Sequence, residues 1–597
     1  MKKRLYLLPT LAIGLSLASC SNEDVKTGAS STDEDDYATN YLSVNLVQAP
    51  DMASRADEIY EDGDVTENTV SKVRFYFFDV DGKAVDVKKV DNVYQNFYDW
   101  ENGIDSDGKE SPNVEKKLKA VLIINTKEGD KLPAKVLAVL NPDKLNLDNS
   151  NLNLSDFQAD TKAYNFAEYA NASGTDKTFI MVNSVYADNQ NSEIVATEIP
   201  VSFYANTMDG AKANPVNIYV ERNVAKIRVT LKEGIQNVKD KDGKDLIKLT
   251  FKDESGKPQD LIVDDKQVYL KLGQWNVTAD TDKGNLIKDI DIENWQATGS
   301  SLFSEWNKPE FFRSYWATNA TKAQQQWHNY YDIASNNGKG YYNSDNMLAN
   351  SLYVNENAPY LPYTNNEASF TKIILAGELG TLDNDDTFTP VTITKFSGIT
   401  SIGEDNLIMT LLSSMGTNMI YTEKDRQYVN LQYSTEPGGE KDVKLVTAIT
   451  AKQASAGEST TGRYYVYLAL SETGAGKTWS KNNTADDFEA GKFANESAVN
   501  NYLASTPGKA QVYKGGLTYY YFPIEHLGDT GEIGEYGVVR NHIYDCRITE
   551  ITGLGTPVYD PTEDIYPEKP VDDETFIAAQ INILSWRLVQ QNIGLNW

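Results

Sequence analysis

Apolar and polar residues alternate along most of the chain with period two, the spacing of strands rather than helices. In Tyr41-Leu42-Ser43-Val44-Asn45-Leu46-Val47, the residues Leu42, Val44 and Leu46 share one face and predict a strand. In Val224–Leu231, Ala225, Ile227, Val229 and Leu231 share a face while Lys226, Arg228 and Thr230 point away, a half-buried antiparallel pattern. Further strands are predicted at Val73–Phe78, Leu118–Ile124, Val136–Leu140, Phe179–Val182 and Val216–Val220. Polar residues gather at Glu233-Gly234 and Lys239–Gly243, which places a domain boundary near residue 233. A second series follows at Leu246–Phe251, Gln267–Leu272, Lys372–Leu375, Gln427–Tyr433, Tyr464–Leu470, Thr518–Pro523 and Val538–Ile551. Trp306–Tyr353, rich in Trp, Tyr and Asn, reads as a long irregular insertion with a short helix around Ala323–Tyr330. No internal repeat is evident. The expected fold is all-β, two sandwich-like domains with irregular insertions.

The two ends depart from this pattern. Lys2, Lys3 and Arg4 precede the apolar run Leu5–Leu17, which is a signal peptide by its length and flanks. It ends Leu17-Ala18-Ser19-Cys20, small residues before a cysteine, as in a lipobox, so Cys20 is the expected lipidation site. A polar, acidic tether runs to residue 40, the first strand follows, and Ala49–Thr69 is again polar. Arg55 is the only arginine between Cys20 and Arg74. A trypsin-like cut between Arg55 and Ala56 would release Leu42, Val44 and Leu46 together with the lipid. The groove left behind would lose about 5–9 kcal/mol of side-chain burial and expose unpaired strand edges.

At the other end, Pro557, Pro561, Pro567 and Pro570 and many carboxylates predict an extended segment. The apolar stretch Phe576–Gln591 follows. Ile581 and Ile583 lie on one face and Leu584, Trp586 and Leu588 on the other, a phase change that implies a bulge or a strand burying both faces in succession. Two readings stay open. The tail folds back onto its own domain as a terminal strand, or it adds to a neighbour's sheet. A head-to-tail contact of the second kind generates an open filament.

Composition narrows the function. The 597 residues carry a formal net charge of −30, which repels nucleic acid and excludes its binding as a main role. With Cys20 lipidated, Cys546 has no partner in the chain and reads as an inert core thiol. His328, His526 and His542 are scattered, which weakens any histidine-based catalysis or metal site. Ser471–Thr478 ends Gly-Lys-Thr after a strand, yet lacks the first glycine of a phosphate-binding loop and reads as a turn. Gly103–Gly108 half-resembles a calcium loop but has glycine at the first ligand position. No catalytic residue, metal site or cofactor is expected. The chain is not expected to be an enzyme.

The order of several segments is similar to that of the fimbrillin family of Bacteroidales, the FimA-like and short-fimbria shaft subunits. They are the lipobox at Cys20, the short strand with Arg55, Ser71-Lys72-Val73, Leu137–Asn141, Met181–Tyr186, Glu221–Ile227, Gly537–His542 and the ending Trp586–Trp597. The resemblance implies two transthyretin-like β-sandwich domains and a palmitoylated lipoprotein precursor at the outer membrane. It also implies cleavage by an arginine-specific protease and donor-strand exchange into a cell-surface fimbrium. Carried over, Arg55-Ala56 is the maturation bond. Leu42, Val44 and Leu46 belong to the displaced strand, and Ile581, Ile583, Leu584, Trp586, Leu588 and Val589 to the donor. The family's usual proline before the last-strand tryptophan is Ser585 here, which alters local strand geometry. The expected segments are 1–20 signal peptide, 21–55 propeptide, 56–232 and 233–560 sandwich domains, and 561–597 tether and donor. Expected partners are further copies of the chain, accessory anchor and tip subunits, the protease and a surface receptor for adhesion. The competing reading is a monomeric surface lipoprotein that binds glycans through Trp306, Trp316 and Trp327.

Overall fold

A computed structural model describes residues 37–48 and 66–585, apart from 92, 101–104, 108–116, 128–129, 148–150, 160–161, 174–176, 254, 295–305, 336–337, 342–349, 360–368, 448–464, 529–530 and 568–575. Cys20, Arg55, Ala56, Trp586, Leu588 and Val589 lie outside the described residues, as do the flanks of the half-formed calcium loop.

The chain is all-β with a sandwich architecture, as its alternation predicts. The first sheet is assembled from β1 (Tyr37–Gln48), β2 (Val73–Phe78), β3 (Lys117–Lys127), β4 (Lys135–Leu140), β5 (Met181–Asn183) and β6 (Val216–Arg222). Its order is Phe97–Trp100, β2, β4, β5, β6, β1, β3, Asp105–Asp107, so the strand that comes first in sequence lies well inside the sheet. β2 is buried at every position. One face meets the sheet's core, and on the other Tyr76 and Phe78 pack edge-on against Phe157 of a short helix, at 4.6 and 6.1 Å.

The next strand, β7 (Ala225–Leu231), starts three residues after β6 ends and belongs to a different sheet. It pairs in parallel with β11 (His542–Thr552), which pairs with the tail strand β12 (Phe576–Ser585); Leu352–Val354 closes the far side. Facing it is a second sheet built on β8 (Tyr269–Thr278), β9 (Lys372–Leu382) and β10 (Leu517–Pro523). Ile227, Val229, Tyr544, Cys546 and Ile548 from one sheet meet Leu270, Trp275, Ile373, Leu375 and Tyr520 from the other in one core. That is the alternation of the sequence turned into a sandwich.

Between β9 and β10 the structure adds a third hydrophobic cluster that the strand pattern did not separate. α1 (Glu404–Met415) and α2 (Glu496–Ser505) pack on the hairpin Val443–Thr447/Val466–Leu470 around Trp479. Leu407, Ile408, Leu411, Leu412 and Met415 form one helical stripe, a 3.6-residue signal present in the sequence but outweighed by the surrounding period-two segments. Gly403 and Gly416 bracket this helix in left-handed conformations that favour glycine.

Other expectations shift. The helix expected around Ala323–Tyr330 lies at Tyr330–Ala334, where the Asn329 side chain accepts from the Asp332 amide at 2.9 Å and sets its start. The strand expected from Val538 begins at His542, because Asn541 adopts a left-handed φ of 58°. Ser471–Thr478 forms a helical turn in which Lys477 is held by Glu440 and Asp442, so its ammonium has carboxylate partners in place of a phosphate. Cys546 is buried, and burial pushes its thiol well above its usual range.

Candidate functional site: the front strand, its anchor and the tail

β1 has neighbours on both edges. It pairs antiparallel with β3 from Tyr37↔Lys127 to Val47↔Lys117, and in parallel with β6 from Val44↔Val216 to Gln48↔Val220. Leu42 and Val44 are fully buried in the first core, on the face the alternation assigns them. Leu46 continues that row at the register positions of Leu118 and Ile218. Removing this strand therefore leaves a slot inside the sheet. It strips the cover from Leu122, Ala120 and Val216 and leaves two facing ladders of unpaired amides and carbonyls.

Just beyond residue 65 the chain is pinned. Glu67 is completely buried; it receives Lys226 Nζ at 2.9 Å and the Tyr353 hydroxyl, and its backbone carbonyl accepts from Arg222 Nε at 3.2 Å. Asn68 accepts from the same guanidinium. Burial drives the Glu67 carboxyl upward, but Lys226, Arg222 and the Tyr353 hydrogen bond together hold it below the usual carboxylate range. Arg222 ends β6 and Lys226 is the second residue of β7, so the pin sits where the chain crosses from one sheet system to the other.

The crossing holds two more buried pairs. Lys288 meets Glu221 at 2.8 Å and donates to the Ser314 carbonyl at 2.7 Å, and Arg540 pairs with Glu356. The charged positions in Glu221–Ile227 and Gly537–His542 are thus interior ion partners at the junction. Their sequence signal was there: charges inside segments whose neighbours are all core. His526 and His542, 16 residues apart in sequence, come within 5.4 Å ring to ring beside this network, which corrects the expectation of scattered histidines for these two, while His328 stands apart against Asp280. Burial holds His526 down at about 4 and His542 well below its usual value, so both are neutral. Among the described residues no cluster of three or more metal-ligating side chains occurs.

The tail strand β12 lies in the chain's own sheet, antiparallel to β11, with Ile581↔Cys546, Ile583↔Tyr544, Leu584↔Ile543 and Ser585↔His542. For Phe576–Ser585 the structure therefore shows the fold-back arrangement. The ladder runs without a break from Ile581 to Ser585, and its one irregularity lies between Ile548 and Glu550. The phase change at Ile583-Leu584 is thus not a bulge. Ile581 and Ile583 stand opposite core residues, and Leu584 stands opposite Ile543 on the other face.

The outward face of β6 floors a cleft of about 320 Å³ lined by Tyr186, Asp188, Glu198, Asn217, Tyr219 and Phe312, among others. Phe312 lies flat on Tyr219 at 4.0 Å while holding a left-handed φ of 57°, an uncommon conformation for an aromatic residue. Its carbonyl accepts from Ser184 Oγ at 2.5 Å. The tryptophans proposed as glycan platforms do something else. Trp306 and Trp316 are buried and stack on each other at 5.1 Å, and Trp327 is half-buried against Tyr566 at 4.6 Å.

Residues 511–592, which include β10, β11 and β12, match the family described as Major fimbrial subunit protein type IV, Fimbrillin, C-terminal. Among solved structures the chain is similar to a fimbrilin from Porphyromonas gingivalis W83, at 12% identity over 92% of this chain and 99% of that one, with a TM-score of 0.33. It is similar to the tip fimbrial protein Mfa3 from Porphyromonas gingivalis, at 12% identity over 92% and 100%, TM-score 0.31. A fimbrial assembly protein from Parabacteroides distasonis ATCC 8503 matches at 13% identity over 60% and 86%, TM-score 0.27. No curated protein sequence matches the chain.

Proposed function

We propose a mode of assembly for this chain on the premise that, by its C-terminal region, it belongs to the fimbrillin family. It is a fimbrial subunit of the cell surface that assembles with other subunits, and it is not an enzyme. In the proposed mode, the precursor is held at the outer membrane by lipid on Cys20. An arginine-specific protease cuts Arg55–Ala56. β1 leaves with the propeptide, and the tail of a second copy enters the slot between β6 and β3. Repetition yields a shaft, to which anchor and tip subunits add at the ends and which carries adhesion to a surface receptor.

One observation carries this reading. β1 is the one described strand upstream of Arg55, and it is paired on both edges inside a sheet whose other strands all lie downstream. A single cut therefore separates a structural member from the sheet it completes. The Glu67 pin secures the downstream side, so the chain from Glu67 onward stays fixed to the body when β1 departs. The tail seated on β11 is consistent with a stored state, since an edge strand can leave without splitting its sheet. Burial of Trp306 and Trp316 takes two of its three platforms from the glycan-binding monomer reading.

The test is proteolytic nicking of the purified precursor, followed by electron microscopy and an SDS ladder. Filaments are expected from the nicked wild type and from neither Arg55→Ala nor a chain lacking Phe576–Trp597. A monomer that stays unchanged after nicking, with affinity for sugars, supports the alternative.

A further inference from the structure

Although no long-period repeat organises the chain, one short segment occurs twice, at its two ends. Residues 40–48 read Asn-Tyr-Leu-Ser-Val-Asn-Leu-Val-Gln, and residues 582–590 read Asn-Ile-Leu-Ser-Trp-Arg-Leu-Val-Gln. Asn40, Leu42, Ser43, Leu46, Val47 and Gln48 recur as Asn582, Leu584, Ser585, Leu588, Val589 and Gln590; only Tyr41, Val44 and Asn45 differ, as Ile583, Trp586 and Arg587. The first copy is the part of β1 that fills the slot.

Resting on the strand-exchange reading above, we propose the register of that exchange. Residues 584–590 of an incoming copy take the positions of 42–48, parallel to β6, with Leu584, Trp586 and Leu588 replacing Leu42, Val44 and Leu46. Arg587 then stands at the position of Asn45, on the face that carries the acidic aromatic cleft.

Three features of the slot fit these substitutions. Along β3 the positions opposite Leu42, Val44 and Leu46 are Leu122, Ala120 and Leu118, so of these three the smallest side chain stands opposite the site where the tail is larger, Trp586 for Val44. Asn45 and Val47 stand opposite Asn217 and Tyr219, both of which line the cleft. A cation at position 45 thus lies one strand spacing, about 4.8 Å, from the cleft's edge. Inside the cleft are the carboxylates of Asp188 and Glu198 with the rings of Tyr186, Tyr219 and Phe312, and no described lysine or arginine pairs with either carboxylate. Carboxylates beside aromatic rings attract a guanidinium. On β3 the opposite position is Lys119, which favours the cleft side for a second cation. Arg587 is also the only basic residue after Lys569.

The register also explains the phase change in the tail. Residues 576–583 keep their ladder with β11 in their own subunit, and entry of the rest opens only the last rungs, Leu584↔Ile543 and Ser585↔His542. The tail is then a two-part strand, its first part an anchor at home and its second a key for the neighbour.

Disulfide trapping tests this. Asn217→Cys chains, nicked and tail-deleted, are mixed with chains carrying Arg587→Cys, and in parallel with Ser585→Cys or Val589→Cys. The register predicts a cross-linked dimer with Arg587→Cys at least tenfold more abundant than with either neighbour. Trapping that peaks at 585 or 589 overturns the register while leaving strand exchange standing. No trapping from any tail position, with wild-type filaments also absent, overturns strand exchange itself. As a second readout, Arg587→Glu is expected to lower the salt resistance of filaments. Asp188→Lys with Glu198→Lys should restore it in that background; failure to restore contradicts the role given to the cleft.

Discussion

β1 and β12 are strands from opposite ends of the chain, and they sit in their sheets in opposite ways. β1 is enclosed, with β6 on one side and β3 on the other, and Leu42 and Val44 at zero exposure. β12 is terminal in its sheet and pairs there with β11 alone. Losing an enclosed strand splits the sheet, whereas losing an edge strand moves the edge by one position. The difference assigns roles: the front strand must be replaced once lost, and the tail is the member that can travel.

The largest expected effect breaks the enclosed side of this comparison. A chain lacking residues 37–55 and also 586–597, with slot empty and key absent, should lose about 5 kcal/mol or more of stability, from aliphatic burial and unpaired ladders. Urea denaturation measures it, with a fall in the midpoint at similar slope. Glu67→Ala comes next. Leaving Lys226 buried beside Arg222 without its carboxylate should cost about 3–5 kcal/mol, read by the same method, with Glu67→Gln intermediate. Leu42→Ala should cost the precursor about 2–5 kcal/mol. It should also hasten filament growth after nicking, because the loosened strand leaves faster, and time-resolved light scattering separates the two effects.

Just below the unfolded value of the histidines the smallest expected effect is acid sensitivity, which grows as pH falls further. His526 and His542 are held below their unfolded value of about 6.5, so the unfolded chain binds more protons below that pH and stability falls as pH drops from 6.5 toward 4. Each contributes at most about 1.4 kcal/mol per pH unit. Glu67 acts lower: its stabilisation is full above about pH 4.5 and is lost as pH falls through its depressed folded value. Thermal melts of wild type and His526→Gln between pH 7 and 4.5 should show a shallower decline in the variant.

Much of this was legible in the residues. Alternation at Leu42, Val44 and Leu46 located β1, and Ala225, Ile227 and Val229 located β7, because an apolar face leaves a period-two trace whatever the partner strand; the half-buried antiparallel pattern expected of β7 is corrected, since it pairs in parallel with β11 and Lys226 and Arg228 are buried as partners of Glu67 and Asp545. The partners left no such trace. That β1 lies between β6 and β3 depends on pairings 70 or more residues away in sequence, and Glu67 looks like one carboxylate among many in a polar stretch until Lys226 and Tyr353 surround it. α1 was missed although its stripe of Leu407, Leu411 and Met415 was present, since strands flank it on both sides. The tail's two faces were legible, but their cause was not, because a phase change reads alike whether it marks a bulge or two successive partners.

Peptide mass mapping of purified filaments tests the central claim most directly. If β1 is the member replaced during assembly, filament subunits begin at Ala56 and yield no peptide covering 37–48. Filaments whose subunits retain 37–48 in full amount would show that the front strand stays in its slot, and the exchange account would be wrong.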